Sequence, residues 1–216
     1  ANLKTFSGFP IQNLTTDPVP FAQAKENNPY QGTWASGAAL NTSRIYPAGI
    51  GTTNSSALAV GGYGTAAIAN NESYNGTSWT ELNDLNSGRY GLNGRGTSTS
   101  GIVYAGITTA RVGNTETWDG TNWTEVNDLS TVRYRAGASG TQTAALCFGE
   151  NPGGADIANN ESWNGSTWTE LADLNTARNG LSGGGTQTDG LAFAGETTVA
   201  TGATEIWNGS AWTEVA

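Results

Sequence analysis

Trp34, Trp79, Trp123, Trp168 and Trp212 follow one another at steps of 45, 44, 45 and 44 residues. A near-constant step means that one supersecondary unit is laid down repeatedly. A period of about 40 to 50 residues is that of propeller blades. Within one period, Trp123 opens the alternating run Thr124-Glu125-Val126. A Gly-rich run (136–143), a short apolar run (145–149), a variable loop (150–159) and the stretch 161–168 follow. These read as four short strands per repeat, separated by Gly and Asn turn signals. The 31 glycines among 216 residues, with abundant Ser, Thr and Asn, fit many short strands and tight turns, not helices.

Asn164-Gly165 reads as a two-residue type I′ turn, with counterparts at Asn75-Gly76, Asp119-Gly120 and Asn208-Gly209. Such a turn sets Trp163 opposite Ser166 and Glu161 opposite Trp168. Glu161, Trp163 and Trp168 then share one face, as do Glu72/Tyr74/Trp79, Glu116/Trp118/Trp123 and Glu205/Trp207/Trp212. A tryptophan at every register position reads as blade core; sugar stacking is the other reading. Ten residues after each of the first four tryptophans comes an arginine: Arg44, Arg89, Arg133 and Arg178. Seventeen after comes Gly51, Gly96, Gly140 or Gly185. The arginines are candidate ligand or partner contacts around one mouth of the propeller. The alternative is that each pairs with a nearby Glu or Asp and locks adjacent blades. Glu72, Glu116, Glu161 and Glu205 recur once per repeat, which points to a structural role for them. Asp84, Asp128 and Asp173 read as turn-satisfying residues.

The Glu-x-Tyr/Trp pattern, the later Trp and the glycines after the second strand resemble the kelch repeat. The Gly-Gly pair is complete only at Gly61-Gly62 and is reduced to Ala105-Gly106, Gly149-Glu150 and Ala194-Gly195 elsewhere. The Gly-Thr-Gln-Thr runs and Asn-Gly-Thr-Ser-Trp-Thr-Glu hairpin are similar to degenerate kelch-like repeats of tailed, particularly marine, bacteriophages. The resemblance covers residues 30–216. It implies an all-β fold: a small β-propeller of four-stranded blades, the Gly-rich strand innermost and the Trp-bearing strand outermost.

Four regular repeats fall at about 41–85, 86–129, 130–174 and 175–216, preceded by an extra outer hairpin at 30–34. Residues 1–29 break the rhythm. They form either an irregular fifth blade or an assembly anchor, with Phe6, Phe9, Ile11 and Phe21 as its apolar contacts. Prolines exclude a central strand there.

With no histidine, the copper site of the kelch-type galactose oxidases cannot form, nor can His-based triads. No phosphate- or dinucleotide-binding fingerprint stands out, and no cofactor is expected. The net charge of −9 argues against nucleic acid. Cys147 lies in an apolar run and reads as a buried hydrophobe. No run is long enough to span a membrane, and the first residues lack a signal-type apolar stretch. The expectation is a non-enzymatic structural or adhesive protein of a phage virion surface, made in the host cytoplasm. Its partners would be other virion proteins or copies of itself, with host-surface glycan as a candidate ligand. A free lectin-like propeller is the alternative, and a carboxylate-dependent glycan-active enzyme a third reading. Variable loops at 64–69, 108–112, 150–157 and 197–201 are the places for specificity.

Overall fold

The computed structural model describes residues 4–6, 9–11, 36–150 and 155–215. The chain divides into two units, residues 1–37 and 38–216. In the first, Lys4–Phe6 (β1) pairs antiparallel with Phe9–Ile11 (β2), with Pro10 opposite Thr5. Both strands of a two-stranded sheet are edges, which is where a residue without an N–H is tolerated. Of the expected anchor, Phe6, Phe9 and Ile11 fall on this hairpin. Phe21 and the expected hairpin at 30–34 lie outside the described residues.

The second unit is a β-propeller of four blades, each a four-stranded antiparallel meander. The first blade is Ala48–Thr53 (β3), Ser56–Val60 (β4), Asn71–Tyr74 (β5) and Trp79–Glu81 (β6). The second is Asn93–Thr97 (β7), Ser100–Tyr104 (β8), Thr115–Trp118 (β9) and Trp123–Val126 (β10). Gly137–Gly140 (β11), Ala145–Phe148 (β12), Asn160–Trp163 (β13) and Trp168–Leu171 (β14) make the third. Ser182–Gly185 (β15), Gly190–Phe193 (β16), Thr204–Trp207 (β17) and Trp212–Val215 (β18) make the fourth.

The Gly-rich strand is innermost, and these strands pack in succession, β3 on β7, β7 on β11 and β11 on β15. Close approach explains their glycines. A Cβ on Gly183 would sit 2.5 Å from the Ala138 carbonyl oxygen and 2.6 Å from the Phe148 ring. Its neighbour Gly184, on the opposite side of the strand, has nothing within 4 Å.

Each interface between blades is an apolar layer. The β4 residues Leu58 and Val60 meet Val103, Trp118 and Trp123. Ile102 and Tyr104 meet Cys147 and Trp163. Leu146 and Phe148 meet Ala192, Trp207 and Trp212. Rings cross these interfaces edge to face: Tyr104 on Trp168 and Phe148 on Trp212, both at 4.8 Å. Trp118, Trp163 and Trp207 are buried, so these tryptophans are blade core. Cys147 is buried too, and burial pushes its thiol up to about 12.

The outer hairpin differs in register from the two-residue turn expected for it. Trp163 pairs directly with Trp168, and Glu161 with Glu170. The side chain before the glycine is the cause. Asn164 Oδ1 accepts from the N–H groups of Ser166 and Thr167, both at 2.9 Å, and closes a four-residue loop. Asp119 does the same with Asn122 and Thr121, whose N–H groups hold its carboxyl below the ordinary aspartate value. The two tryptophans still share the inward face with the glutamate, because they oppose each other.

The outward face of the fourth blade departs from the others. Leu191 and Phe193 are 37% and 38% exposed, whereas their counterparts Leu58, Ile102, Leu146, Val60, Tyr104 and Phe148 are at most 1% exposed.

The inner-strand geometry makes a paired prediction. Gly183→Ala should destabilise the protein by about 1–3 kcal/mol through overpacking. Gly184→Ala should stay within about 0.5 kcal/mol of the parent. Urea denaturation of the two variants checks this; equal stabilities would contradict the close approach of β15 to β11.

Candidate functional site

The four in-phase arginines are enclosed in the propeller wall. Each pairs with its blade's repeated glutamate: Arg44 with Glu72, Arg89 with Glu116 at 2.6 Å, Arg133 with Glu161 at 2.8 Å, and Arg178 with Glu205 at 2.9 Å. Their side chains are 0% exposed, so none presents a guanidinium to a ligand at the mouth. The pairing reading is the geometry found. Arg133 also donates to the carbonyls of Asn159 at 2.6 Å and Gly149 at 3.3 Å, and Arg178 to those of Ala203 and Ala194. The glutamates turn their remaining capacity to the preceding linker: Ser130 N–H donates to Glu161 and Asn175 N–H to Glu205. At the same time the arginine's own carbonyl accepts from the previous blade, as in Gly62 N–H to Arg89 and Gly106 N–H to Arg133. Backbone held by one blade and side chain by the next make Arg89, Arg133 and Arg178 interblade clasps, while Arg44 makes the same side-chain pair within the first blade.

The residues that break the repeat lie elsewhere, at the mouth formed by the linkers and the loops between second and third strands. Seven arginines fall within 36–216, and lysine is absent from that range. The three outside the clasps are Arg95, Arg111 and Arg135. Arg111 and Arg135 line a cleft of about 580 Å³ with Tyr134, Glu150, Asn179, Gly180, Gly195 and Glu196. Arg135 also borders an adjoining 340 Å³ cavity with Arg95, Asn93 and the inner-strand residues Ala138 and Gly183. Two of the variable loops thus supply Arg111 and Glu150. Arg95 rises from β7 into the space between the inner strands and donates to the carbonyls of Gly94, Ala138 and Gly183.

Aromatic rings flank the cleft. Tyr63 and Tyr90 meet edge to face at 5.0 Å, and Tyr90 and Tyr134 at 5.8 Å. Arg135 lies over both Tyr46 and Tyr134, at 5.1 and 5.8 Å, and Arg111 over Tyr134 at 5.9 Å. Tyr46, Tyr63 and Arg135 are exposed; Tyr90 and Tyr134 are half-buried. Glu150 sits 3.7 Å from Arg111 and is nearly buried.

Positive φ at non-glycine residues occurs at Tyr46, Arg135 and Glu150 in this region, and at Ala105 and Ala194, which hold the wall position of Gly61 and Gly149. The residue two after each clasp arginine has positive φ: Tyr46 at 55°, Gly91 at 63°, Arg135 at 57° and Gly180 at 60°. Glycine takes this conformation freely, so a tyrosine and an arginine there store roughly 1–2 kcal/mol each. Glu150 has φ 98° where the other blades place Gly62, Gly106 and Gly195. Gly91 is required in its turn, since a Cβ would lie 2.0 Å from the Tyr134 ring.

These tyrosines and the three unclasped arginines are not singled out by the repeat pattern. Their signal is the converse one: arginines out of phase with the tryptophans, and non-glycine residues at glycine positions. No protein-family model matches the chain, and comparison with curated proteins gives no match.

Arg133 and Arg135, two residues apart, should respond oppositely to substitution. Arg133→Met strands the buried Glu161 charge and should lower stability by about 3–5 kcal/mol. In Arg135→Gly, relief of roughly 1–2 kcal/mol of strain is offset by two cation–π contacts at about 0.5–1 kcal/mol each and by glycine's added freedom when unfolded. The net change should stay below about 1 kcal/mol. Chemical denaturation measures both; a large loss in Arg135→Gly would make that residue structural.

Proposed function

We propose that the chain is a non-enzymatic adhesive component of a virion surface, of the tailed-phage kind that its kelch-like repeats resemble, and that the Tyr/Arg mouth is its recognition face for host-surface glycan. One observation carries this reading: Arg111, Arg135 and Glu150, which break the repeat and two of which hold positive φ, line one cleft. A wall built only for stability would favour glycine at Tyr46, Arg135 and Glu150, and stability given up locally is the mark of a selected site. The cleft is polar and lined by one tyrosine, Tyr134, which suits a polyhydroxylated ring.

The free lectin-like propeller is the second reading. A repeated lectin would place an equivalent site in each blade, whereas Arg135 and Glu150 stand where the other blades carry Tyr46, Gly91 or Gly180 and Gly62, Gly106 or Gly195, which favours the first reading. Glu150 and Glu196 are the carboxylates of the cleft. Glu150 faces Arg111, and its proposed role is to position that guanidinium and accept sugar hydroxyls, without bond cleavage.

The role makes a double expectation. In purified particles the chain should occur in fixed stoichiometry with partner chains, by quantitative mass spectrometry and cross-linking. The isolated protein should retain glycans on an array and release no reducing sugar from them. Glycan binding without any particle association would favour the free lectin; release of sugar would sink the non-enzymatic reading.

A further inference from the structure

We infer that the mouth selects a saccharide bearing a carboxylate, a uronic or sialic acid type of residue, over its neutral counterpart. The inference rests on the recognition reading above and adds the chemical class of ligand.

The cations argue first. Within 36–216 all positive side-chain charge resides on seven arginines, and four of these are neutralised inside the wall by Glu72, Glu116, Glu161 and Glu205. The remaining three line two adjoining spaces, since Arg135 borders both the 580 Å³ cleft of Arg111 and the cavity of Arg95. On a chain of net charge −9 this is the one region of the propeller where unclasped cations gather. Among the described residues no carboxylate lies within ion-pair distance of Arg135 or Arg95. A guanidinium offers paired donors that match a carboxylate.

The remaining lining argues for a sugar as the carrier. Glu150 and Glu196 accept hydrogen bonds and repel a bare anion, so an anion without hydroxyls gains little at that side of the cleft. Sugar hydroxyls can donate to Glu196 at this side, while a ring carboxylate turns to Arg135. Tyr134 lines the cleft, its ring packed against Gly91, and contributes apolar surface for the carbon skeleton of a sugar. A volume of about 580 Å³ lies within the range of small-molecule sites. Arg95 already donates to three carbonyls, so its part is to lend positive potential from below. Arg135, exposed and held between Tyr46 and Tyr134, is the residue assigned to contact the carboxylate.

The test uses the full chain and matched probes: methyl β-glucuronide against methyl β-glucoside, with methyl α-sialoside as a second acid, titrated by NMR. The acidic sugars should bind about tenfold more tightly than the glucoside at low salt, the size expected of one charge-assisted contact. The preference should shrink as salt rises. Arg135→Gln should abolish the preference, bringing the affinities for acidic and neutral sugars together; Arg111→Gln provides a second variant should the first not fold. Gly91→Ala, by displacing Tyr134, should weaken acidic and neutral sugars alike. Equal binding of acid and neutral sugars overturns the inference while leaving glycan recognition standing. A preference that survives both arginine substitutions overturns the assigned contact. Absence of binding to these sugars and to an array of acidic and neutral glycans overturns the inference and the recognition reading together.

Discussion

A buried guanidinium–carboxylate pair, made once per blade, is the interaction on which the propeller depends. Burying both charges is expensive unless their hydrogen-bonding capacity is met. Here the glutamate draws on linker N–H groups, and Arg44, Arg133 and Arg178 each reach two carbonyls besides the carboxylate, whereas Arg89 reaches one. Among the described residues the Nε atoms of all four arginines have no partner, so the clasp is not fully satisfied there. That makes it a device for specifying geometry more than for adding stability. It fixes where the linker crosses between blades, and the apolar layers then find their register. Hydrophobic contact alone would permit sliding of one flat sheet on another; a buried charge pair would not.

The wall of this protein was legible in its sequence, and the mouth was not. Strand order, the inner Gly-rich strand and the buried tryptophans all follow from a period repeated in phase. The pairing of Arg with Glu was open, because two in-phase charges are equally consistent with a lock and with a ring of ligand contacts. Only burial decides between them. The outer hairpin misled for a local reason: Asn164-Gly165 has the composition of a two-residue turn. The Asn side chain instead caps two N–H groups beyond it and lengthens the loop to four. The cluster at the mouth escaped because a search for regularity discards what is irregular. Arg95, Arg111 and Arg135 are separated by 16 and 24 residues in the chain, and only the propeller brings them together.

Wall and mouth also divide the molecule energetically. Clasp arginines are tied to their own blade's glutamate and to the neighbouring backbone, so changes there propagate into folding. Mouth residues sit at the ends of linkers, where glycine would serve the fold as well or better. Tyr46, Arg135 and Glu150 are tolerated because the backbone around them is held from other directions. Gly91 N–H donates to the Tyr46 carbonyl, and Arg135 N–H to that of Gly91, both at 2.9 Å. This belt joins successive linkers and gives the mouth a rigid rim on which side chains can vary.

The spacing within the clasp has an evolutionary consequence. Arginine and glutamate stand only 27 or 28 residues apart, well inside the period of 44 or 45. A duplicated segment of one period therefore inherits both halves of its own lock and can seat itself on whatever precedes it. Such a chain can lengthen by tandem copying without any compensating change elsewhere. Later divergence is then free to act on the rim, because nothing in the inherited lock depends on which residue stands there.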